Sequence, residues 1–240
     1  MLVFLHHGLG SVAQWRDFPQ ELAAATGLPT LAYDRSGHGE SAEAARPRSP
    51  RYLHEEAAAL ALLLEANHID DPVLIGHSDG GSIALLYPFL SRRQPRGIIT
   101  LAAHVFVEEE TLRGIRDVEA SDVRRRLRRY HGNKTDALFG AWAGIWLSQE
   151  FRPFDISREL HAVRCPVLAI QGAADEFGTP AQLAAIEANV SGEVSTLLIP
   201  GCGHEPHHQA REATLAAIKS ALLRWLAQPS GPARSAAGPA

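Results

Sequence analysis

The chain has 240 residues, 45% of them hydrophobic and 21% charged, and a formal net charge of −4. This length and balance are typical of one large globular domain with a sizeable core. A sequence pI of about 6.3 excludes the broad basic field of proteins that bind nucleic acid or anionic membranes, so we expect neither as a partner.

Short apolar runs alternate with helical patterns along the first half of the chain. Four runs predict strands at Leu2–Leu5, Pro29–Tyr33, Val73–Ile75 and Gly97–Leu101. Apolar residues on a helical period predict helices at Asp17–Ala25, Tyr52–Asn67 and from Ser82 to Leu86, and Pro88 should end or kink the last of these early. Strands that alternate with helices in this way indicate βαβ units.

The second half starts with a stretch that breaks this alternation. Residues 104–161 contain no clear strand, are helical in character and are predicted to form a helical cap inserted between two strands. The alternation then resumes with strands at Pro166–Ile170 and Val194–Ile199 and with helices at Pro180–Asn189 and Arg211–Ala227. The tail, residues 228–240, is rich in Pro, Gly and small residues and is predicted to be disordered.

The predicted elements define an α/β fold. About six strands form a mostly parallel, doubly wound sheet, because right-handed crossovers place helices on both of its faces. Residues 1–103 and 162–227 are predicted to form this core. The strands are short and continuously apolar, as expected when both faces of a sheet are covered.

One serine stands between glycines at the junction of two apolar segments, in the stretch GHSDGG. The G-x-S-x-G pattern is weak alone, but a strand before it and a helix after it are the context of a nucleophile on a sharp turn. Gly76 and Gly80 leave room for so tight a bend. Ser78 is therefore the predicted nucleophile, and the backbone N–H of Asp79 is a predicted oxyanion donor.

A serine nucleophile needs a base, and the base needs a group that orients it. In a parallel sheet these groups meet at the carboxyl ends of the strands. His204 directly follows the last predicted strand, whereas its rival His207 belongs to the start of the next helix. Asp175 follows the preceding strand, beside the alternative carboxylate Glu176. The sequence therefore predicts a catalytic triad of Ser78, Asp175 and His204.

Four stretches together resemble the α/β-hydrolase superfamily. They are FLHHGLGS, DRSGHGES, GHSDGG and the pair GAAD and GCGH, spread over roughly residues 2 to 227. The resemblance implies serine chemistry with the triad above. It also places a second oxyanion N–H in the loop after the first strand, at Gly8 or Leu9, where either His6 or His7 fills the family's histidine position.

The resemblance also implies roles for the second loop and for the cap. Asp34, Arg35 and His38 in DRSGHGES are interpreted as residues that order the loop. Four aromatic residues of the cap are expected either to line the substrate pocket or to hold the cap to the core: Phe139, Trp142, Trp146 and Phe151. Members of the superfamily usually have two further strands before the strand at Leu2–Leu5, so we expect an exposed sheet edge.

Three functions fit these motifs. The first is a serine hydrolase that cleaves a small carboxylic ester, lactone or thioester through an acyl-enzyme on Ser78. The second is a C–C bond hydrolase of aromatic ring-cleavage products that uses the same triad, and the third is a non-catalytic ligand-binding relative. The basic stretch RRRLRR is interpreted as a solvated helix face, with attraction of an anionic substrate as the alternative.

The expected partner is a small-molecule substrate, without a cofactor. His207 and His208 are adjacent rather than four residues apart, so no metal site is expected. The two cysteines form neither a disulfide framework nor a metal-binding spacing. The N-terminal stretch MLVFLHHGLG lacks the basic flank and the cleavage site of a signal peptide. We therefore expect a cytoplasmic location.

Overall fold

The computed structural model describes residues 1–44 and 47–227 of the chain, so the tail predicted to be disordered lies outside the described residues. Six strands are present: β1 Leu2–Leu5, β2 Thr30–Ala32, β3 Val73–His77, β4 Gly97–Leu101, β5 Val167–Gly172 and β6 Val194–Ile199. They form one parallel sheet in the order β2-β1-β3-β4-β5-β6. The predicted α/β fold with about six strands is confirmed.

The direction of winding changes between β1 and β3. The chain goes outward from β1 to β2 and then returns to place β3 on the other side of β1. At such a switch point the loops that follow the two strands diverge and leave a crevice at the carboxyl edge of the sheet. The loop after β1 and the turn after β3 carry the predicted oxyanion donors and the predicted nucleophile, so the topology brings them together.

Helices connect the strands and cover both faces. Their bounds are α1 Phe18–Thr26, α2 Tyr52–Ala66, α3 Asp79–Ser91, α4 Glu109–Ala120, α5 Val123–His131, α6 Thr135–Leu147, α7 Ala181–Asn189, α8 Pro206–Gln209 and α9 Arg211–Ala227. Helix α1 ends at Gly27, whose φ of 69° gives the left-handed turn at which helices commonly stop. Within the described residues, no helix is long and apolar enough to cross a membrane.

The side chains of each strand point alternately to the two faces of the sheet and pack in two separate apolar layers. Val3 and Leu5 of β1 pack in the layer that contains α2, α3 and α6. Leu2 and Phe4 of the same strand pack in the opposite layer, with α1 and α9. Because both faces are covered, the strand has no polar face, which explains its continuously apolar sequence.

Helix α3 continues through Pro88. Pro88 was predicted to end or kink the helix early, and the structure shows that the helix does not end there but runs to Ser91. Pro88 lies in the last turn, and every residue of α3 from Asp79 to Pro88 is buried. Burial of almost the whole circumference outweighs the loss of one backbone hydrogen bond near the helix end.

Helices α4, α5 and α6, which we call the cap, lie within the stretch predicted as a cap, between β4 and β5. The two ends of this stretch pair through an isolated antiparallel bridge between Phe106 and Asp155. The sheet edge at β2 is short, with three half-buried residues, and pairs with β1.

Each cap helix donates a hydrogen bond to the core. Thr111 of α4 donates to the carbonyl of Phe177 at 2.7 Å. The ring of His131 in α5 donates through Nε2 to the carbonyl of Leu9 at 3.0 Å, because its Nδ1 accepts the backbone N–H of Gly39. Trp146 of α6 donates from Nε1 to the hydroxyl of Tyr52 at 2.8 Å. These bonds join all three cap helices to loops and helices around the carboxyl edge of the sheet.

Candidate active site

Ser78 lies on the turn between β3 and α3 with φ 53° and ψ −120°, a backbone region that residues other than glycine rarely adopt. Its N–H donates to the carbonyl of Leu101 at 2.9 Å, which fixes the turn against β4. A Cβ at Gly76 would collide with the carbonyl of Gly80, and a Cβ at Gly80 would collide with that of Leu5. Close backbone packing therefore requires both glycines, and the turn holds the Ser78 hydroxyl at the edge of the sheet.

His204 and Asp175 follow β6 and β5 and are hydrogen-bonded to each other. Nδ1 of His204 lies 2.9 Å from Oδ1 and 3.0 Å from Oδ2 of Asp175. The carboxylate is 1% exposed and also accepts the backbone N–H of Phe177 at 2.9 Å. Because a carboxylate accepts, the imidazole proton belongs on Nδ1, which leaves Nε2 as the basic nitrogen.

The two partners stabilise each other's charge. Burial alone would raise the pKa of Asp175, but the charge and hydrogen bond of His204 lower the pKa of this carboxyl below its usual value. Burial alone would lower the pKa of His204, but Asp175, with smaller effects from Glu176 and Glu205, raises it above the usual 6.5. The contact between Asp175 and His204 therefore favours the protonated imidazole.

The rival residues lie elsewhere. The ring of His207 is 3% exposed and packs against Trp15 and His77, with centroid distances of 4.9 and 4.7 Å. Burial lowers the pKa of His207 well below its ordinary value. Glu176 accepts the backbone N–H of His204 at 3.2 Å rather than contacting its ring. The structure thus pairs His204, and not His207, with Asp175.

A cavity of about 530 Å³ opens between the carboxyl edge of the sheet and the cap. Ser78 and His204 both line it, and so do Gly8 and Leu9 from the loop after β1. Its apolar wall comes largely from the cap and the loop after β5, with the side chains of Ile115, Val118, Leu127, Trp142, Trp146 and Phe177. A concave, largely apolar cavity of this size with a few polar groups is typical of small-molecule sites.

Two backbone N–H groups beside Ser78 are available as donors. In the part of the chain that the structure describes, the N–H groups of Asp79 and Gly8 make no hydrogen bond, and both residues line the cavity. The N–H of Leu9 instead lies 3.4 Å from Nδ1 of His7. Of the two loop donors that the sequence left open, Gly8 is the free one.

The loop DRSGHGES is held to its neighbour through Asp34. One carboxylate oxygen accepts the N–H of Val12 at 2.7 Å, and the other accepts the N–H of Glu40 at 2.9 Å. The ring of His38 donates from Nδ1 to the carbonyl of Ser36 at 2.9 Å. These bonds order the segment that supports the loop after β1.

Two of the four aromatic residues predicted for the pocket do not reach the cavity. Trp142 and Trp146 line it, whereas Phe139 and Phe151 do not, so the second of the two expected roles, holding the cap, applies to these two. Phe139 is covered by the guanidinium of Arg124 at 4.4 Å from the ring centroid. Phe151 is 1% exposed and packs edge-on against Trp146, at 4.8 Å. Both therefore stabilise the cap.

Sequence reasoning missed His104. It directly follows β4, and its ring lies 5.6 Å from that of His204 in the cavity wall. Its Nε2 donates to the carbonyl of Phe177 at 3.1 Å. Its position just after a strand, at the same sheet edge as Ser78, was the available signal, but one histidine among 12 carries no spacing pattern.

Sequence reasoning also missed two carboxylates that line the cavity, those of Asp117 and Glu205. In a sequence these residues are indistinguishable from solvated surface charges. Among the residues that the structure describes, no group of three or more His, Cys, Asp or Glu is arranged to hold a metal ion.

Two curated relatives match part of the chain. The sn-1-specific diacylglycerol lipase ABHD11 of Danio rerio is 38% identical over 85 residues, which cover 35% of this chain and 25% of the relative. A proline iminopeptidase of Levilactobacillus brevis is 34% identical over 119 residues, which cover 45% of this chain and 38% of the relative. The match therefore spans less than half the length of each of these relatives.

The fold is shared over almost the whole chain. The structure of a thermophilic esterase from Thermogutta terrifontis superposes with a TM-score of 0.71 at 21% identity, over 94% of this chain and 90% of that one. Residues 2–217 match the family model described as the alpha/beta hydrolase family. With the serine turn, the His–Asp pair and the parallel sheet in place, the chain belongs to the alpha/beta hydrolase family.

Proposed function

We propose that the chain is a serine hydrolase that cleaves a small carboxylic ester, lactone or thioester through an acyl-enzyme on Ser78. The observation that carries this proposal is one cavity of about 530 Å³ lined by both Ser78 and His204, with Asp175 2.9 Å behind the imidazole. A nucleophile, a base and an orienting carboxylate then stand in the order that acyl transfer requires.

In the proposed reaction, Oγ of Ser78 attacks the carbonyl carbon while Nε2 of His204 takes the hydroxyl proton. Asp175 holds the imidazole through Nδ1 and stabilises its cation, in keeping with the raised pKa of His204. The N–H groups of Asp79 and Gly8 donate to the oxyanion. The tetrahedral intermediate then expels the alcohol or thiol, which receives the proton from Nε2, and water attacks the acyl-enzyme by the same path.

The charges of the cavity favour a substrate without negative charge. Asp117, Glu176 and Glu205 line it against one guanidinium, that of Arg126, which is bound to Asp122. The basic stretch on α5 is therefore a poor anion site. Since an anionic acyl or leaving group would meet a net negative wall, neutral esters should be better substrates than anionic ones.

The test is hydrolysis of p-nitrophenyl esters from acetate to decanoate by the wild type and by Ser78→Ala. We expect turnover of short esters by the wild type and a loss of kcat of about 10⁶-fold in Ser78→Ala. Ser91→Ala, on the same helix but far from the cavity, is the matched control and should keep full activity. The mono-p-nitrophenyl ester of glutaric acid should be a poorer substrate than the pentanoate.

A folded wild type that hydrolyses none of these esters would overturn the ester-hydrolase proposal. Equal residual activity in Ser78→Ala and the wild type would remove Ser78 from the mechanism. Equal use of the anionic and the neutral ester would overturn only the argument from charge.

A further inference from the structure

Two arginines lie beneath the loop after β1 and hold its carbonyl groups. Nη2 of Arg35 donates to the carbonyl of His7 at 2.7 Å and to that of His6 at 3.2 Å. Nη2 of Arg48 donates to the carbonyl of Gly8 at 3.2 Å. Arg35 is 2% exposed, and Arg48 is half-buried with its guanidinium over the ring of Tyr52.

These bonds determine where the N–H of Gly8, the proposed oxyanion donor of this loop, points. In a planar trans peptide the C=O of one residue and the N–H of the next point in opposite directions. Arg35, by holding the carbonyl of His7, therefore turns the N–H of Gly8 away from the arginines. Arg48, by holding the carbonyl of Gly8, fixes the peptide plane on the other side of Gly8, whose N–H belongs to Leu9 and lies 3.4 Å from Nδ1 of His7. Each guanidinium thus fixes one peptide plane of the loop that lines the cavity.

The same network reaches the other donor. The carboxylate of Asp79, 1% exposed, accepts from the hydroxyl of Tyr52 at 2.8 Å and lies 4.0 Å from Nη1 of Arg35. The hydroxyl of Tyr52 in turn accepts from Nε1 of Trp146 in the cap. The residue that supplies the second oxyanion N–H is therefore held against the arginine that orients the first.

The guanidinium groups of the network are only partly paired. The buried carboxylate of Asp79 faces both of them, and Glu56 also acts on the charge of Arg48. Nε and Nη1 of Arg35 and Nη1 of Arg48 have no hydrogen-bond partner within residues 1–44 and 47–227. An uncompensated buried charge is costly for the fold. It becomes useful where negative charge develops next to it during a reaction.

We propose that Arg35 and Arg48 are positioning residues for the oxyanion hole, which fix the peptide planes on either side of Gly8 and place positive charge behind the forming oxyanion. This inference rests on the proposed serine hydrolase function. It assigns a role to two side chains that do not touch the substrate, and it gives the side chain of Asp79 a role beside that of its N–H: the carboxylate accepts from Tyr52 and lies 4.0 Å from Arg35.

The test uses Arg48→Met, Arg48→Lys and Arg35→Met, with Arg211→Met as the matched control. Arg211 also forms ion pairs and lies over an aromatic ring, but it belongs to α9 and is outside the cavity lining. The readouts are kcat and KM for the best p-nitrophenyl ester, the melting temperature, and the Ki of a trifluoromethyl ketone with the same acyl chain. Ser78 adds to the ketone carbon, its proton passes to His204, and the carbonyl oxygen becomes a stable oxyanion.

We expect Arg48→Met to lower kcat at least 10-fold, leave KM within twofold and raise the ketone Ki by the factor lost from kcat. Arg48→Lys, which keeps the charge but not the planar guanidinium over Tyr52, should recover part of the kcat lost in Arg48→Met. Arg35→Met should also lower kcat and raise the ketone Ki. If Arg35→Met does not fold, the Arg48 variants alone test the positioning role.

The positioning role is overturned if Arg48→Met behaves like Arg211→Met, or if kcat falls without a matching rise in the ketone Ki. In either case an active wild type with an inactive Ser78→Ala leaves the hydrolase proposal intact. A wild type that neither hydrolyses the esters nor binds the ketone overturns both proposals.

Discussion

At the scale of single residues, acidic neighbours, chiefly Asp175, raise the pKa of His204 against the strong lowering effect of its burial. Most other buried histidines around the site have lowered pKa values, with His7 at about 3 because of burial and neighbouring positive groups. His204 is the exception, because Asp175 lies against Nδ1. One carboxylate thus distinguishes the proposed base from the surrounding neutral histidines.

This contrast predicts a pH profile with a definite sign. The neutral imidazole is the base, so kcat/KM should rise with pH through the pKa of His204, which Asp175 raises above 6.5. Asp175→Asn removes the stabilising charge, so the rising limb should move to lower pH while kcat falls about 10⁴-fold. The measurement is kcat/KM for p-nitrophenyl butyrate from pH 5 to 9.

Glu176→Gln is the control for this prediction. Glu176 raises the same pKa by a smaller effect, so its removal should move the limb less and leave kcat nearly unchanged. A limb that stays in place in Asp175→Asn would show that His204 is not the group that titrates.

The triad candidates were predictable because each directly follows a strand. Ser78, Asp175 and His204 come after β3, β5 and β6, and the ends of parallel strands meet at one edge. The aromatic lining was not predictable in the same way. Phe139 and Trp142 are three residues apart on α6, a spacing that places them on one helix face, yet only Trp142 reaches the cavity because Arg124 of a neighbouring helix covers Phe139.

At the scale of elements, close packing of α3 on the sheet determines where glycine is required. Gly80 lies in the first turn of α3, directly against the carbonyl of Leu5 in β1. Gly140 of α6 has open space where a Cβ would be. Glycine is therefore required at position 80 of α3, whereas a larger residue has room at position 140 of α6.

A matched pair of substitutions tests this contrast. Gly80→Ala should lower the free energy of unfolding by about 3 kcal/mol, because the added methyl group meets fixed backbone. Gly140→Ala should raise it by about 0.5–1 kcal/mol, because alanine favours an exposed helix and restricts the unfolded chain. Urea unfolding of both variants is the measurement, and equal effects of the same sign would contradict the packing at Gly80.

The length of α3 shows that tertiary packing can outweigh a local sequence signal for the end of a helix. Pro88 is a strong local stop signal, but the helix is buried between α2 and the sheet and continues to Ser91. The boundaries of α1 and α2 lie within one residue of those predicted, since Gly27 and the periodic apolar positions mark them locally.

At the scale of the whole molecule, buried histidines make stability depend on pH. Burial holds the pKa values of His6, His38, His77 and His207 well below 6.5. The unfolded chain takes up protons as the pH falls through 6.5 and the folded chain does not. Stability that is present above pH 6.5 is therefore lost below it, by about 1.4 kcal/mol per pH unit for each such histidine. His204, whose pKa is raised, changes stability with pH in the opposite direction, but it is one group against these four histidines.

Thermal unfolding at pH 7.5 and pH 5.5 should show this loss as a clearly lower melting temperature at the acidic pH. His207→Met should reduce the difference in unfolding free energy between the two pH values by about 1.4 kcal/mol, the share of one histidine. His161→Met, at an exposed position, serves as the control and should leave the difference unchanged. A melting temperature that is the same at both pH values would contradict the neutral state of the buried rings.

The hydrogen bonds between cap and core have a consequence for cooperativity. His131 donates to the carbonyl of Leu9, and Trp146 donates to Tyr52, so the cap is joined to the loop after β1 and to α2. Regions that share buried polar bonds and one apolar layer tend to unfold together rather than in separate steps. Detachment of the cap would release the loop that carries the oxyanion donors. Catalytic competence and tertiary structure should therefore be lost in a single transition.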